Sequence, residues 1–153
     1  MYYRRKILLS LLEMFDGKLE SIHLHKLLML LSKSQENPSF DFVPNIHGCF
    51  SFQADADLKT LMKYEKVIER KDSFWEKIDE KSYVAELKQS DKQALFDVKK
   101  EYQRMSSKQL TDVIDRRHPF YALNSEIANA NDSGQMWDKQ VQSHEIKLFT
   151  IGY

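Results

Sequence analysis

The sequence predicts a mainly α fold with a small β-hairpin. Three observations carry that expectation. Apolar residues recur at helical spacing along most of the chain, one pair of short apolar runs flanks a turn, and 153 residues contain only 4 Gly and 3 Pro. So few breakers disfavour a β-rich, loop-rich or disordered chain.

Ile7, Leu8, Leu11, Leu12 and Phe15 form one apolar stripe, which predicts a helix from Arg4 to Phe15. Asp16-Gly17-Lys18 breaks it. Ser21 is the expected N-cap of a second helix, which ends near Ser34, before Asn37-Pro38. Leu24, Leu27, Leu28, Leu30 and Leu31 make that helix apolar nearly all round, so it should be buried centrally. Phe40-Asp41-Phe42-Val43-Pro44 alternates like an edge strand or extended segment, and Asn45-Ile46-His47-Gly48 reads as a turn. Ser51 can cap a third helix with Ala54, Leu58, Leu61 and Met62 on one face. Lys66-Val67-Ile68 and Phe74-Trp75-Glu76-Lys77-Ile78 flank Lys71-Asp72-Ser73 as a β-hairpin. Helix, turn, helix, connection, helix, hairpin is the order of a winged helix-turn-helix.

The second half reads as a helical extension. Ser90 with Gln93, and Ser106 with Gln109, are spaced as capping boxes. Leu95, Val98 and Tyr102 continue the first stripe; Leu110, Val113 and Ile114 form the next. His118-Pro119 ends that helix, because proline disfavours α geometry in its predecessor. Asn124 is expected to cap a short helix through Ala130, Asn131-Asp132-Ser133-Gly134 to form a loop, and Ile146 to Ile151 to form a strand. The expected organisation is a winged-helix-like subdomain over 1–85, a helical extension packing on it over 86–130, and a loop and strand over 131–153. A terminal strand with no following element either adds to the hairpin sheet or marks the chain as the front part of something longer, and the second reading is the favoured one.

Leu24-His25-Lys26-Leu27-Leu28-Met29-Leu30-Leu31, then Phe42-Val43-Pro44, then His47-Gly48-Cys49-Phe50-Ser51-Phe52, resemble the Panacea antitoxin domain, formerly a phage-associated domain of unknown function. That bacterial family shows a leucine-rich Lys-Leu-Leu-Tyr helix, an aromatic Tyr-Gly-Pro turn and a helix. Here His47 stands for the aromatic residue and Cys49 for the proline. Tyr102 with Ser106-Ser107-Lys108-Gln109-Leu110, and Arg117-His118-Pro119-Phe120, are similar to the family's closing helix. The resemblance covers about residues 1–130. Leu148-Phe149-Thr150-Ile151-Gly152-Tyr153 resembles the opening strand of domain of unknown function 488, whose proteins can carry an N-terminal extension like this one.

Composition bounds the function. Lys+Arg and Asp+Glu are both 23, so a globally basic nucleic-acid binder is disfavoured, although a local basic face is not. Cys49 is the single cysteine, which excludes an internal disulfide and fits a reducing cytoplasm. The basic start Met1–Lys6 and the run Ile7–Leu12 copy a signal peptide, but the run stops at Glu13 and no small-residue cleavage site follows. Leu27–Leu31 is far shorter than the ~20 residues that span a bilayer. A soluble, cytoplasmic protein with no membrane partner is expected.

No catalytic constellation, metal site or cofactor is expected. Zinc spacings of Cys and His are absent, and His23 and His25 are two apart on a helix and share no face. Cys49 beside His47 reads as a buried thiol rather than a nucleophile. Gly17, Gly48, Gly134 and Gly152 are isolated, so no phosphate loop exists.

Nucleic-acid binding needs a basic face. The third helix would expose Gln53, Asp55, Asp57, Lys59, Thr60 and Lys63, two acids against two bases. Arg70 and Lys71 sit at the hairpin tip. Richer patches are Arg4-Arg5-Lys6 and the group Lys99, Lys100, Arg104, Lys108, Arg116 and Arg117, which could hold a phosphate backbone if they converge. Phe74, Trp75, Phe120 and Tyr121 are the candidate protein-contact aromatics, since aromatic anchors dominate interfaces.

Three functional readings follow, in order of support. The first is a non-enzymatic interaction or regulatory module of a toxin-antitoxin or defence-type system, with a protein partner or self-association. The second is a winged-helix DNA-binding regulator. The third is the N-terminal fragment of an enzyme whose chemistry lies beyond Tyr153.

Overall fold

The computed structural model describes residues 1–122, which are mainly helical with a small antiparallel sheet and a separate two-stranded hairpin. The helix, loop and strand expected at 124–130, 131–134 and 146–151 lie outside the described residues.

Helix α1 (Tyr3–Met14) buries Ile7 through Leu12 on every side. Asp16 (φ 64°) and Gly17 (φ 80°) then adopt left-handed geometry, and the Gly17 N–H donates to the Leu12 carbonyl at 2.7 Å. The turn does more than break the helix. It delivers a strand that periodicity did not reveal, β1 (Lys18–Glu20).

Helix α2 (Ser21–Ser34) is buried from Leu24 through Ser32, as its all-round apolarity predicts. Its N-cap is Glu20, not Ser21, because the chain leaves β1 extended and turns helical only at Ser21. The segment Phe40–Pro44 is paired only over its end. Strand β2 (Val43–Asn45) meets β3 (Gly48–Phe50) in a hairpin, with Gly48 at φ 106° closing its two-residue loop. Phe40 and Phe42 point into the core instead.

Helix α3 (Phe52–Lys63) starts at the expected cap: Ser51 Oγ accepts from the Ala54 N–H at 3.2 Å. Ala54, Leu58 and Leu61 are buried, whereas Met62, expected beside them, is exposed. The expected hairpin forms, as β4 (Val67–Arg70) and β5 (Phe74–Lys77). Strand β1 adds to its other edge, in the order β1-β5-β4, with Leu19 opposite Trp75 and Glu20 opposite Phe74.

Helix α4 (Gln89–Tyr102) is capped by Lys88 without a side-chain bond, so the expected Ser90/Gln93 box does not form. The helix begins two residues early and places Ser90 inside it. Helix α5 (Ser107–Arg117) does carry its box: Ser106 Oγ accepts from the Gln109 N–H at 3.1 Å, and Gln109 Oε1 accepts from the Ser106 N–H at 2.8 Å. Both helices pack on α2, and one apolar core runs from Ile7 to Tyr121. No described helix is long and apolar enough to cross a membrane.

Candidate interaction surfaces

The first basic patch is half-buried and engaged by carboxylates. Asp57 of α3 is 1% exposed, not on the outer face where the sequence reading put it. Arg4 Nε donates to Asp57 Oδ2 at 2.6 Å and Arg4 Nη2 to Oδ1 at 3.2 Å. Arg5 Nε donates to Oδ1 at 3.0 Å. Asp57 sits three residues after Ala54 and four before Leu61, on the buried stripe, so α1 must bring cations to meet it. The carboxylate holds the Arg4 guanidinium above its usual pKa. Lys6 Nζ lies 3.6 Å from Glu86.

Other predicted cations are also engaged. Lys59 pairs with Asp55 at 3.0 Å, and Arg70 with Glu76 at 2.6 Å. Lys99 Nζ donates to the Met14 carbonyl, closing the end of α1. Arg117 donates to the Tyr102 hydroxyl at 2.6 Å and to Glu101 at 3.1 Å. Within the later basic group Lys99 is half-buried, whereas Arg117 remains exposed although paired. Lys63 at the end of α3, Lys71 in the β4–β5 turn, and Lys100, Arg104, Lys108 and Arg116 on α4 and α5 and the turn between them stay exposed.

The candidate aromatics divide. Trp75 is 3% exposed and Tyr121 is buried, so both are core; Trp75 faces Leu19 across the ladder that β1 adds. Phe74 is half-buried with Lys18 over its ring, and Phe120 is exposed. Larger exposed apolar side chains sit on α3. Phe52 is 56% exposed at its start, where it packs edge-on against Phe50; Met62 and Tyr64, the latter 63% exposed, stand at its end. Beside Tyr64, a cavity of about 440 Å³ is walled by Met1, Arg5, Leu61, Tyr64 and Lys66.

A polar centre that sequence reasoning missed lies between α2 and the β2–β3 hairpin. His25 Nδ1 accepts from the Ser51 N–H at 3.1 Å, and its ring stacks on Phe50 at 4.5 Å. Burial lowers its pKa to about 4, so the imidazole is neutral near pH 7. Cys49 is buried beside it and its thiol donates to the His25 carbonyl at 3.6 Å. Burial pushes that thiol up to about 12, which suits packing rather than nucleophilic chemistry. Lys26, the next residue on α2, is also buried, and desolvation lowers its pKa. His23 points elsewhere, 3.0 Å from Ser107 Oγ on α5. Among the described residues no three His, Cys, Asp or Glu side chains group as metal ligands.

Comparison with protein-family models, with curated proteins and with solved structures returns no match.

Proposed function

We propose that the chain is a non-enzymatic protein-interaction module on a winged-helix frame, acting in a bacterial toxin-antitoxin or defence-type system. The observation that carries this reading is the outer surface of α3. In a winged helix that helix is the one that enters the DNA major groove. Here it offers Phe52, Met62 and the capping Tyr64, large apolar groups of the kind that anchor protein interfaces. The arginines nearest to it, Arg4 and Arg5, are spent on Asp57 instead of facing a phosphate backbone. The resemblance to the Panacea domain supports a toxin or defence effector as the partner.

DNA binding is the second reading, favoured by one specific arrangement. The order α1-β1-α2-β2-β3-α3-β4-β5 with sheet order β1-β5-β4 supports a winged-helix reading, and Lys63 on α3 and Lys71 in the β4–β5 turn are exposed. Fluorescence anisotropy with duplex DNA, in low and near-physiological salt, separates the two. The interaction reading expects no salt-sensitive binding at micromolar protein. Binding that weakens steeply with salt, and weakens again in the Lys63→Ala/Lys71→Ala variant, would replace it with the regulator reading.

A further inference from the structure

The end of α3 and the start of α1 border the cavity of about 440 Å³ walled by Met1, Arg5, Leu61, Tyr64 and Lys66. That volume lies within the ~300–1,000 Å³ of small-ligand sites. Hydrogen bonds fix both of its sides. The Lys66 N–H donates to the Leu61 carbonyl at 2.9 Å and the Glu65 N–H to the Met62 carbonyl at 3.1 Å, the paired bonds of a Schellman turn. Such a turn needs a left-handed residue, and Glu65 supplies it at φ 59° without being glycine. The reversal brings Leu61, Tyr64 and Lys66 to one cavity. The other side is α1, which Arg4 and Arg5 tie to Asp57 of α3.

Two features point to the occupant. The first is apolar surface left in water. Tyr64 and Met1 of the wall are exposed, and so are their chain neighbours Met62 and Tyr2, the latter with its ring 4.7 Å from the Arg5 guanidinium. Exposed apolar groups gathered at a pocket and rimmed by polar residues mark an interaction site. Tyr64 offers an incoming ring an aromatic partner, whereas Met1 and Leu61 are aliphatic and give a nucleobase no face to stack on.

The second feature is charge. Asp57 takes two guanidinium groups, which leaves one positive charge over. Lys66 is balanced by Asp79 at 3.2 Å. Lys63, exposed on the last turn of α3, has no ion pair among the described residues, and the exposed carboxylate nearest to it in sequence is Glu65. Arg4, Arg5, Lys63 and Lys66 thus stand with only Asp57, Glu65 and Asp79, and the excess is complementary to an anionic partner.

We propose that this cavity seats an aromatic side chain of an acidic peptide segment, with the ring against Met1, Leu61 and Tyr64 and the flanking carboxylates drawn by Arg4, Arg5 and Lys63. The proposal rests on the reading of the chain as an interaction module, and it names the chemistry that the partner presents.

The probe is the blocked peptide acetyl-Asp-Phe-Asp-amide, titrated into the full chain and followed in ¹H–¹⁵N correlation spectra. The expected result is a saturable shift of the Leu61, Tyr64 and Lys66 amides. Acetyl-Asp-Ala-Asp-amide, which lacks the ring, should bind at least about tenfold more weakly. Acetyl-Asn-Phe-Asn-amide, of the same shape but neutral, should bind about threefold more weakly, and that difference should vanish at about 1 M salt. Tyr64→Ala changes an exposed side chain and leaves the core intact, and it should weaken the parent peptide. No saturable shift at tens of millimolar probe, or equal binding of the alanine or the neutral peptide, would overturn the proposal. So would a thymidine pentanucleotide that shifts the same amides and binds more tightly than the peptide. Failure here with a protein contact kept at Phe52 would remove only this occupant, whereas peptide binding with no protein contact at α3 would remove the interaction reading and keep the site.

Discussion

Arg4 Nε donates to Asp57 Oδ2 at 2.6 Å, tying the start of α1 to a carboxylate buried in α3. Arg5 completes the clamp from the same side. The two halves of this cluster are unequal. Removing Asp57 leaves two half-exposed guanidinium groups that water can reach, whereas removing both arginines strands a buried charge. The Arg4→Ala/Arg5→Ala variant should lose about 3–5 kcal/mol of stability. Asp57→Ala should lose about 2 kcal/mol, the worth of its charged hydrogen bonds. Urea denaturation compares the two. Equal and small losses would mean that the clamp is a surface pair.

Trp75 separates core from contact. Its position opposite Leu19 makes Trp75→Ala a cavity-forming change, expected to cost about 3–5 kcal/mol. Phe74→Ala should cost clearly less, because the side chain is half-buried. Thermal melting of both variants checks the order. A Trp75→Ala protein as stable as the wild type would return Trp75 to the surface.

Burial of His25 makes stability depend on pH. Its folded pKa of about 4 lies below the ordinary 6.5, so the unfolded chain binds the extra proton first. Stability from this group is full above about pH 6.5 and is lost as pH falls toward 4. The shift corresponds to about 3 kcal/mol, at about 1.4 kcal/mol per unit. Asp55 acts against the shift, while His23 and His118, also lowered by burial, add to the same slope. Urea midpoints at pH 7.5 and 4.5 measure the total. The His25→Gln variant, whose side-chain oxygen can still accept from Ser51, should flatten the slope; an unchanged slope would remove His25 as its cause.

Cys49 should be chemically quiet. Its thiol is buried and raised to about 12, so little thiolate forms near neutral pH. A thiol reagent such as iodoacetamide should label it slowly in the native protein and fast in urea. Rapid native labelling would contradict the packing around it.

The parts of the fold legible in the sequence are those with local signals. The stripe of α1, the all-round apolarity of α2, the Ser51 cap and the Ser106/Gln109 box each sit within a few residues of what they specify. Strand β1 was not legible. Three residues carry no period, and their pairing partner lies more than fifty positions away in β5. Ser90 failed as a cap because α4 starts earlier, after Lys88, which leaves the serine inside the first turn. The patch Arg4-Arg5 reads as surface charge until α3 is packed against α1. Yet the spacing of Asp57 from Ala54 and Leu61 already places it on the apolar stripe, and that signal was present. The role of His25 was not, since its hydrogen bond reaches from α2 to Ser51 across the β2–β3 hairpin.

The most direct test of the interaction reading is site-specific photocrosslinking in cells. A photoreactive phenylalanine replaces Phe52 or Tyr64 on α3, and Phe96, exposed on α4, serves as the control. The account predicts a discrete protein adduct from Phe52 and Tyr64 and none from Phe96. Adducts to nucleic acid alone, or the same pattern from all three positions, would contradict it.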